Sequence, residues 1–308
     1  MGYVEGCAVT LAIAMILDAL FGEPRWLWSK FPHPAILMGR CVAWIDATFN
    51  NGDNRRLRGT VSFGGLCLAA IIIGVLLQNL PFRPVVEVVI VAILLAQRSL
   101  ADHVSAVGDA LRLSLGDGRL MVARIVGRDT RDMDQPAVAR AAIESAAENF
   151  SDGVAAPIFW FAVGGLPGIL LYKMTNTADS MIGYRTAKYE DFGWAAARFD
   201  DLMNWIPARL TALIFIAVFG LTTQTTAIMR DSRLHRSPNA GWPESAMARA
   251  LGVALAGPRS YDGTLQDFPF VHDAGKKDLG PTAVDASVKA LWRVWAAILA
   301  IVLLVALF

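Results

Sequence analysis

Four charged residues recur at every fourth position in the middle of the sequence: Arg140, Glu144, Glu148 and Asp152. Residues four apart share one face of a helix, so the spacing predicts a charged stripe with an ion pair between Arg140 and Glu144. The stripe runs into a polar segment, 149–153, at the start of an apolar stretch. Carboxylates in such a place can hold Mg²⁺ through their oxygens. A solvated helix face is the alternative that the spacing leaves open.

Three more polar segments lie on either side of the same apolar stretch. Segment 127–130 offers a glycine that permits close backbone approach and Arg128, whose guanidinium suits bidentate contact with phosphate or carboxylate. An Arg–Asp pair that closes a loop is the other interpretation. Segments 176–185 and 200–209 repeat the theme with acids, amides and arginines. Such groups are costly in an apolar chain unless they satisfy each other or a ligand, so the sequence predicts a binding site.

The composition indicates the setting of this site. Of 308 residues, 55% are hydrophobic and 18% are charged, which is typical of a multi-span membrane protein rather than a soluble domain. The net charge of +1 argues against nucleic acid as a partner, because phosphate backbones require a concentrated surplus of Lys and Arg. The three cysteines are far apart and match neither a disulfide framework nor zinc-ligand spacing.

Long apolar runs near the roughly 20 residues needed to cross a bilayer predict membrane helices. The predicted spans lie near 4–21, 61–80, 84–101, 207–227 and 288–308. The run at 156–172 is short and has glycines and a proline at 164–168, so we expect a broken or re-entrant element. A capped helix is expected from Asp134 to Phe150, with Pro136 in its first turn. The predicted fold is an all-α polytopic membrane protein, one domain over 1–308, with long polar connections.

The distribution of positive charge predicts an orientation. The connection 23–60 is rich in Lys and Arg, whereas the turn at 81–84 holds only Arg83, so the former is expected in the cytoplasm and the N-terminus outside. A strict count of six spans would place 127–152 and 176–204 on opposite sides of the membrane. That conflict leaves the topology after the third span open.

Short motifs in a fixed order give the chain a resemblance to a known family. They lie at 18–24, 33–34 with 38–39, 125–130, 144–153, 172–185, 199–209 and 235–245. In this order and spacing they resemble the adenosylcobinamide-phosphate synthase family of cobalamin biosynthesis, also called the CbiB or CobD family. The resemblance covers nearly the whole chain. One departure is Glu23, where the family more often has Asp, a change that keeps the charge.

The resemblance implies a multi-pass enzyme of the inner membrane with its active site facing the cytoplasm. Such an enzyme is an amide ligase that uses ATP and Mg²⁺ to join aminopropanol, or its O-phosphate, to a propionate carboxyl of adenosylcobyric acid, the corrinoid substrate. Its expected partners are those substrates, the lipid bilayer and other membrane-bound cobalamin-assembly enzymes. A corrinoid-binding transporter or a non-catalytic assembly component is the alternative, since broken helices beside polar clusters also form carrier sites.

Residue roles follow from the motifs as hypotheses. The predicted catalytic residues are Glu144, Asp179, Asp200 and Asp201, and the predicted metal ligands are Glu148 and Asp152. The predicted residues for binding ATP and substrate are Arg128, Asn149, Asn176, Arg185, Asn204, Arg209, His33 and His235.

Overall fold

A computed structural model describes residues 3–261 and 264–307, and it is mainly helical, as predicted. The helices are α1 Tyr3–Phe21, α2 Arg25–Trp28, α3 Pro34–Phe49, α4 Arg55–Gln78, α5 Arg83–Leu94, α6 Gln97–Leu113, α7 Leu115–Val122, α8 Gln135–Phe150, α9 Ala156–Ile182, α10 Trp194–Met203, α11 Trp205–Phe219, α12 Thr225–Ser232, α13 Gly241–Leu251 and α14 Pro281–Ala306. A π-helical turn, Ser151–Ala155, joins α8 to α9, and a short 3₁₀ turn, Thr222–Gln224, precedes α12.

Within the described residues, four short strands lie in the connection between α13 and α14, where strand signals in the sequence are weak. They are β1 Leu255–Ala256, β2 Arg259–Tyr261, β3 Thr264–Gln266 and β4 Phe270–Val271. Strand β1 pairs with β4 and β2 pairs with β3, both antiparallel. The strands form two small ladders in an otherwise helical chain.

The chain divides into two compact units, each assembled from segments distant in sequence. The first unit comprises Met1–Ala96, Asp152–Trp205 and Ile301–Phe308, and the second comprises Gln97–Ser151 and Ile206–Ala300. In the first unit α9 packs against α1, α3, α4, α5 and α10. In the second unit α8 packs against α6, α7, α13 and β1. One central helix therefore organises each unit.

Helix α9 is broken where the sequence predicted a broken element. Gly165 adopts φ 57° and ψ −148°, a conformation that side-chain-bearing residues rarely take, and Pro167 follows it. Helix α4 lies directly against this break, because a Cβ on Gly74 would fall 2.5 Å from the backbone of Pro167. Beyond the break the helix continues to Ile182, ten residues past the expected end at 172, so it also carries Asn176 and Asp179.

Helix α8 begins as predicted, because the Asp134 carboxylate accepts a hydrogen bond from the Ala137 N–H at 2.8 Å. Its small residues, among them Ala139, Ala142 and Ala146, are completely buried. The alternative of a solvated face does not hold for Glu144, which is only 4% exposed in the middle of this helix.

Four helical segments within the described residues are long and apolar enough to cross a membrane: Arg55–Gln78, Arg83–Leu113, Gln135–Ile182 and Pro281–Ala306. Helices α10 and α11 pass the same test together as a bent pair. The predicted span at 207–227 ends too late, since α11 stops at Phe219 before Gly220, which has φ 64°. Helix α1 coincides with the predicted span at 4–21 but is not in this set, so its crossing stays a prediction.

Candidate active site

In the second unit, Glu144 is the centre of a buried ion-pair cluster. Its Oε2 lies 2.8 Å from Nη2 of Arg128 and 3.5 Å from Nη1 of Arg259, and its Oε1 accepts a hydrogen bond from the Ala256 N–H at 2.8 Å. A buried carboxylate is stable only when it is paired and hydrogen-bonded, and both of its oxygens are engaged here. Glu144 therefore fixes the position of two guanidinium groups.

Backbone geometry in the loop after α13 completes the cluster. Ala256 has φ 58°, an uncommon left-handed conformation for a residue with a side chain, and the following Gly257 has φ 81°. This turn presents the Ala256 N–H to Glu144 and starts β2 at Arg259. Strained backbone of this kind is often found at functional sites.

A cavity of about 240 Å³ adjoins the cluster. Its lining residues are Arg128, Asp129, Asp132, Met133, Asp134, Ala137, Arg140, Glu144, Ala256, Pro258 and Arg259. The predicted ion pair between Arg140 and Glu144 is replaced, because Glu144 is held by Arg128 and Arg259. The Arg140 guanidinium instead donates to the carbonyl oxygens of Ala254 (3.4 Å) and Lys277 (3.2 Å). Tertiary partners thus override the spacing of four along the helix.

A second buried pair, His235 and Glu244, lies in the same unit. His235 Nδ1 accepts a hydrogen bond from the Ser237 N–H at 3.0 Å, which leaves Nε2 to carry the proton of the neutral ring and to face Glu244 Oε1 at 3.5 Å. Burial is the main cause that raises the pKa of Glu244 well above its usual value, and the carboxylates of Glu144 and Glu148 add to it. Burial lowers the pKa of His235, and the Arg259 guanidinium acts in the same direction. This environment favours the uncharged form of each group.

Asn149 and Arg209, two further predicted residues of the second unit, also have side-chain partners. Asn149 donates to the Ser145 carbonyl at 2.8 Å, and Arg209 donates to Asn239 Oδ1 at 3.2 Å. The Arg209 guanidinium also lies 5.0 Å from the ring centroid of Trp242, a cation–π arrangement. Neither residue appears among those that line the 240 Å³ cavity.

In the first unit, acids and amides gather around Asp200. Asn204 Nδ2 donates to Asp200 Oδ2 at 3.0 Å, and the Asn176 side chain is a second hydrogen-bond partner of Asp200. The Tyr172 hydroxyl lies 2.9 Å from Asn204 Oδ1 and 3.0 Å from the Asp152 carbonyl oxygen, which fixes the position of Asn204. Asp200 Oδ1 is buried and has no hydrogen-bond partner in the described part of the chain.

Two further predicted acids interact with this cluster electrostatically. Asp179 lies close enough to Asp200 and Asp201 for their charges to interact, and Asp201 also has Arg198 Nη1 at 3.7 Å and the charge of Arg185 nearby. A buried group of carboxylates in which one oxygen lacks a hydrogen-bond partner among the described residues is suited to a cationic ligand or to proton transfer.

Three predicted residues remain to be placed: His33, Glu148 and Asp152. His33 caps α3 through Nδ1, which accepts from the Ala35 N–H at 3.1 Å, and its Nε2 lies 3.2 Å from the Ile93 carbonyl oxygen. Glu148 belongs to the second unit and Asp152 to the first. Asp152 lies inside the π-helical turn Ser151–Ala155, so the spacing of four from Glu148 no longer describes one straight α-helix. Within residues 3–261 and 264–307, no group of three or more His, Cys, Asp or Glu side chains is arranged to hold a metal.

Sequence reasoning missed two residues of the second unit, Arg259 and Glu244. Arg259 follows a glycine and a proline in a loop, and no spacing rule connects it to Glu144. Glu244 lies in the motif at 235–245, but its burial against His235 depends on the N-terminus of α13. A Cβ on Gly241 would lie 2.8 Å from the His235 Cβ, so this glycine allows the helix to approach.

The fold and these clusters define a class of protein: a polytopic, all-α membrane protein with buried arginine, carboxylate and amide groups suited to a polar substrate. The chain belongs to the CobD/Cbib protein family, which matches residues 11–291. It is 50% identical over 299 residues to the cobalamin biosynthesis protein CobD of Rhizobium meliloti (strain 1021), covering 92% of this chain and 91% of that protein.

Other relatives carry the same name. The cobalamin biosynthesis protein CobD of Brucella anthropi is 46% identical over 301 residues, with 92% of each chain covered. That of Rhodobacter capsulatus is 46% identical over 272 residues, with 86% of this chain and 87% of the relative covered. No solved structure matches this chain.

Proposed function

We propose that the protein is an ATP-dependent amide ligase of cobalamin biosynthesis. It joins the amine of aminopropanol, or of its O-phosphate, to a propionate carboxyl of adenosylcobyric acid and produces adenosylcobinamide or its phosphate. The family membership and the names of the relatives support a role in cobalamin biosynthesis. The polytopic fold is consistent with a multi-pass protein of the inner membrane, and the proposed active site faces the cytoplasm, where ATP is available.

The observation that carries this proposal is the pair of arginines that Glu144 holds beside the 240 Å³ cavity. A carboxylate is a poor acyl donor, so amide formation requires its activation, which we propose occurs by phosphoryl transfer from ATP. Guanidinium groups stabilise the charge on the transferred phosphoryl oxygens, and fixed groups do so without reorganising during the reaction. Arg128 and Arg259 meet this requirement because the same buried carboxylate positions both.

The residues of this cavity fit a bound Mg²⁺ ion. Mg²⁺ is usually held by one or two carboxylates together with substrate phosphates, so a cage of three protein ligands is not required. Asp129 and Asp132 line the cavity beside the arginines, which is the donor set that such an ion uses. When bound, Mg²⁺ neutralises negative charge on the phosphates during transfer.

The proposed reaction proceeds in two chemical steps. In the first, a propionate oxygen attacks the γ-phosphorus of ATP, the bond to ADP breaks, and an acyl phosphate forms. In the second, the neutral amine attacks the acyl carbon, inorganic phosphate leaves, and the nitrogen loses a proton. We assign recognition of the ammonium form and acceptance of its proton to Asp200 of the first unit, whose Oδ1 is buried without a hydrogen-bond partner among the described residues and whose charge interacts with those of Asp179 and Asp201. The Asn176 and Asn204 amides orient that carboxylate.

The test is a reaction with purified protein in detergent. Adenosylcobyric acid, aminopropanol or its phosphate, ATP and Mg²⁺ are supplied, and mass spectrometry detects the amide and the nucleotide product. We expect amide formation coupled to ADP release, and we expect Arg128→Lys and Asp179→Asn to abolish it. Corrinoid binding without amide or ATP consumption refutes the ligase and supports a transporter or an assembly component.

A further inference from the structure

An open groove in the first unit lies between α3 and the first half of α4. Helix α3 contributes Trp44, Ile45 and Phe49 to its walls, and α4 contributes pairs of residues one turn apart between positions 57 and 66. Its volume of about 580 Å³ falls in the range of about 300–1,000 Å³ that is typical of pockets for small ligands. Trp44 is 60% exposed and Val61 is 66% exposed, so large apolar side chains in the groove stay uncovered by the described chain.

The groove runs along a helix that is long enough to cross a bilayer. Helix α4 begins at Arg55 and belongs to the set of apolar, bilayer-length segments. A helix rises about 1.5 Å per residue, so the lining residues Arg58 and Leu66 lie about 12 Å apart along its axis. Arginines at the end of a membrane helix stay at the boundary with water. The groove therefore has a polar end at this boundary and an apolar end at the depth of the lipid chains.

Arg58 supplies the charge at the polar end. Its Nη1 donates to the Asn51 carbonyl oxygen at 3.0 Å and to Asn51 Oδ1 at 2.8 Å, so its partner is a neutral residue. The ion pairs near this end of α4 join Arg55 to Asp191 and Lys188 to Asp46, and they leave Arg58 out. Segment 53–58 holds three arginines and one acid. This end of the groove therefore complements a negatively charged group.

The two ends together favour one kind of occupant. A phospholipid has a phosphate at the boundary with water and acyl chains that extend into the bilayer, which is the same order as in the groove. A membrane helix of a second copy also covers apolar surface, but it brings no phosphate to Arg58. A guanidinium binds phosphate oxygens through charge-assisted hydrogen bonds, which are stronger than neutral ones. The charge thus distinguishes a lipid with a net negative headgroup from a purely apolar partner.

We propose that this groove binds one anionic phospholipid, with the headgroup phosphate at the Arg58 guanidinium and an acyl chain along Val61, Gly65 and Leu66. The lipid covers apolar side chains of both helices and so fastens α3 to the beginning of α4. Gly65 leaves room for the chain, because nothing lies within 4 Å of the position that a Cβ would take there. The site is separate from the groups to which the ligase chemistry is assigned, so either proposal stands or fails without the other.

The first experiment measures lipid binding by native mass spectrometry of the protein in detergent. Phosphatidylglycerol and phosphatidylcholine with the same acyl chains are titrated separately. Losing a charge-assisted hydrogen bond weakens binding about tenfold, so we expect Arg58→Gln to bind phosphatidylglycerol about tenfold less tightly than wild type. Arg40→Gln is the control, because Arg40 is exposed on α3, lies outside the groove lining and gives the same change of net charge. Equal affinity of the wild type for the two lipids, or equal losses in the two variants, overturns the proposal.

The second experiment fills the groove from its own wall. Gly64 and Gly65 are neighbours on α4, and a Cβ at either position meets nothing within 4 Å, but only Gly65 lines the groove. We expect Gly65→Leu to lose the tightly bound phosphatidylglycerol and Gly64→Leu to retain it. Thermal unfolding in lipid-free detergent verifies that both variants are folded. Phosphatidylglycerol bound as tightly by Gly65→Leu as by Gly64→Leu overturns the groove as the lipid site.

A third measurement uses the wild-type protein alone and so does not depend on the folding of any variant. Phosphatidylglycerol with a photoreactive diazirine in its acyl chain is bound and irradiated, and peptide mass spectrometry locates the label. We expect labelling within segment 57–66 that excess phosphatidylglycerol suppresses. Labelling confined to other segments overturns the proposal. A mass of two chains without lipid, lost in Gly65→Leu, overturns it in favour of a second copy in the groove.

Discussion

Substituting Gly74 with alanine tests how the broken helix is held. A Cβ at this position would lie 2.5 Å from both Cα and N of Pro167, a distance that real Cβ contacts essentially never show. The obstructing atoms are backbone atoms of the α9 break, so no side-chain rotation relieves the contact. Gly64 on the same helix has nothing within 4 Å of the equivalent position. Gly64→Ala is therefore the matched control.

The magnitude follows from two opposing effects. Alanine is favoured over glycine in a helix by about 1 kcal/mol, and this gain applies to both variants because both positions lie inside α4. Overpacking a well-filled interface costs about 1–3 kcal/mol. The propensity gain cancels in the comparison, so Gly74→Ala should be less stable than Gly64→Ala by about 1–3 kcal/mol.

Thermal unfolding in detergent, followed by tryptophan fluorescence, measures the difference. We expect Gly64→Ala to unfold at or slightly above the wild-type temperature and Gly74→Ala several degrees below it. Because the displaced helix also carries Asn176 and Asp179, amide formation should fall in Gly74→Ala and not in the control. Equal melting temperatures for the two variants would show that α4 does not pack against the break in α9.

Two further outcomes are expected. Since burial raises the pKa of Glu244, the folded protein holds this proton more tightly than the unfolded chain, so stability falls as pH rises above the ordinary value of 4.5. Glu244→Gln removes this loss, so its melting temperature relative to wild type should increase between pH 5 and pH 8. A difference in melting temperature that does not change with pH would contradict this prediction. Asp200→Asn keeps the shape and removes the proton acceptor, so amide formation should drop by about a hundredfold or more at unchanged melting temperature. Asp191→Asn, at an exposed ion pair with Arg55, is the control, and equal rates for the two variants would exclude Asp200 from the chemistry.

Much of the fold follows from local patterns. The apolar runs near 61–80, 84–101 and 288–308 overlap bilayer-length helical segments of the described chain, because length and apolarity are properties of a single segment. The cap at Asp134 was also predictable, since its partner is three residues away. The break in α9 was expected because glycine and proline act on their own backbone.

Boundaries and partners were less predictable. Segment 176–182, which is rich in polar residues, continues α9 although the apolar run stops near 172. Packing of α9 against its neighbours in the first unit stabilises the longer helix. Helix α11 ends earlier than its hydropathy suggested, at Phe219. The expected ion pair of Arg140 with Glu144 was wrong because two other arginines hold that carboxylate.

The sequence by itself determined the class of protein, the family and which stretches carry the polar chemistry, since hydropathy and motif order are written along the chain. Only the tertiary structure decided which groups meet. Glu144 binds the backbone of Ala256, 112 positions away, and shares its charge with Arg259 in the adjoining strand. These contacts depend on how α8 packs against the loop after α13, and no local sequence periodicity encodes them. A buried charge takes the partner that packing places within reach.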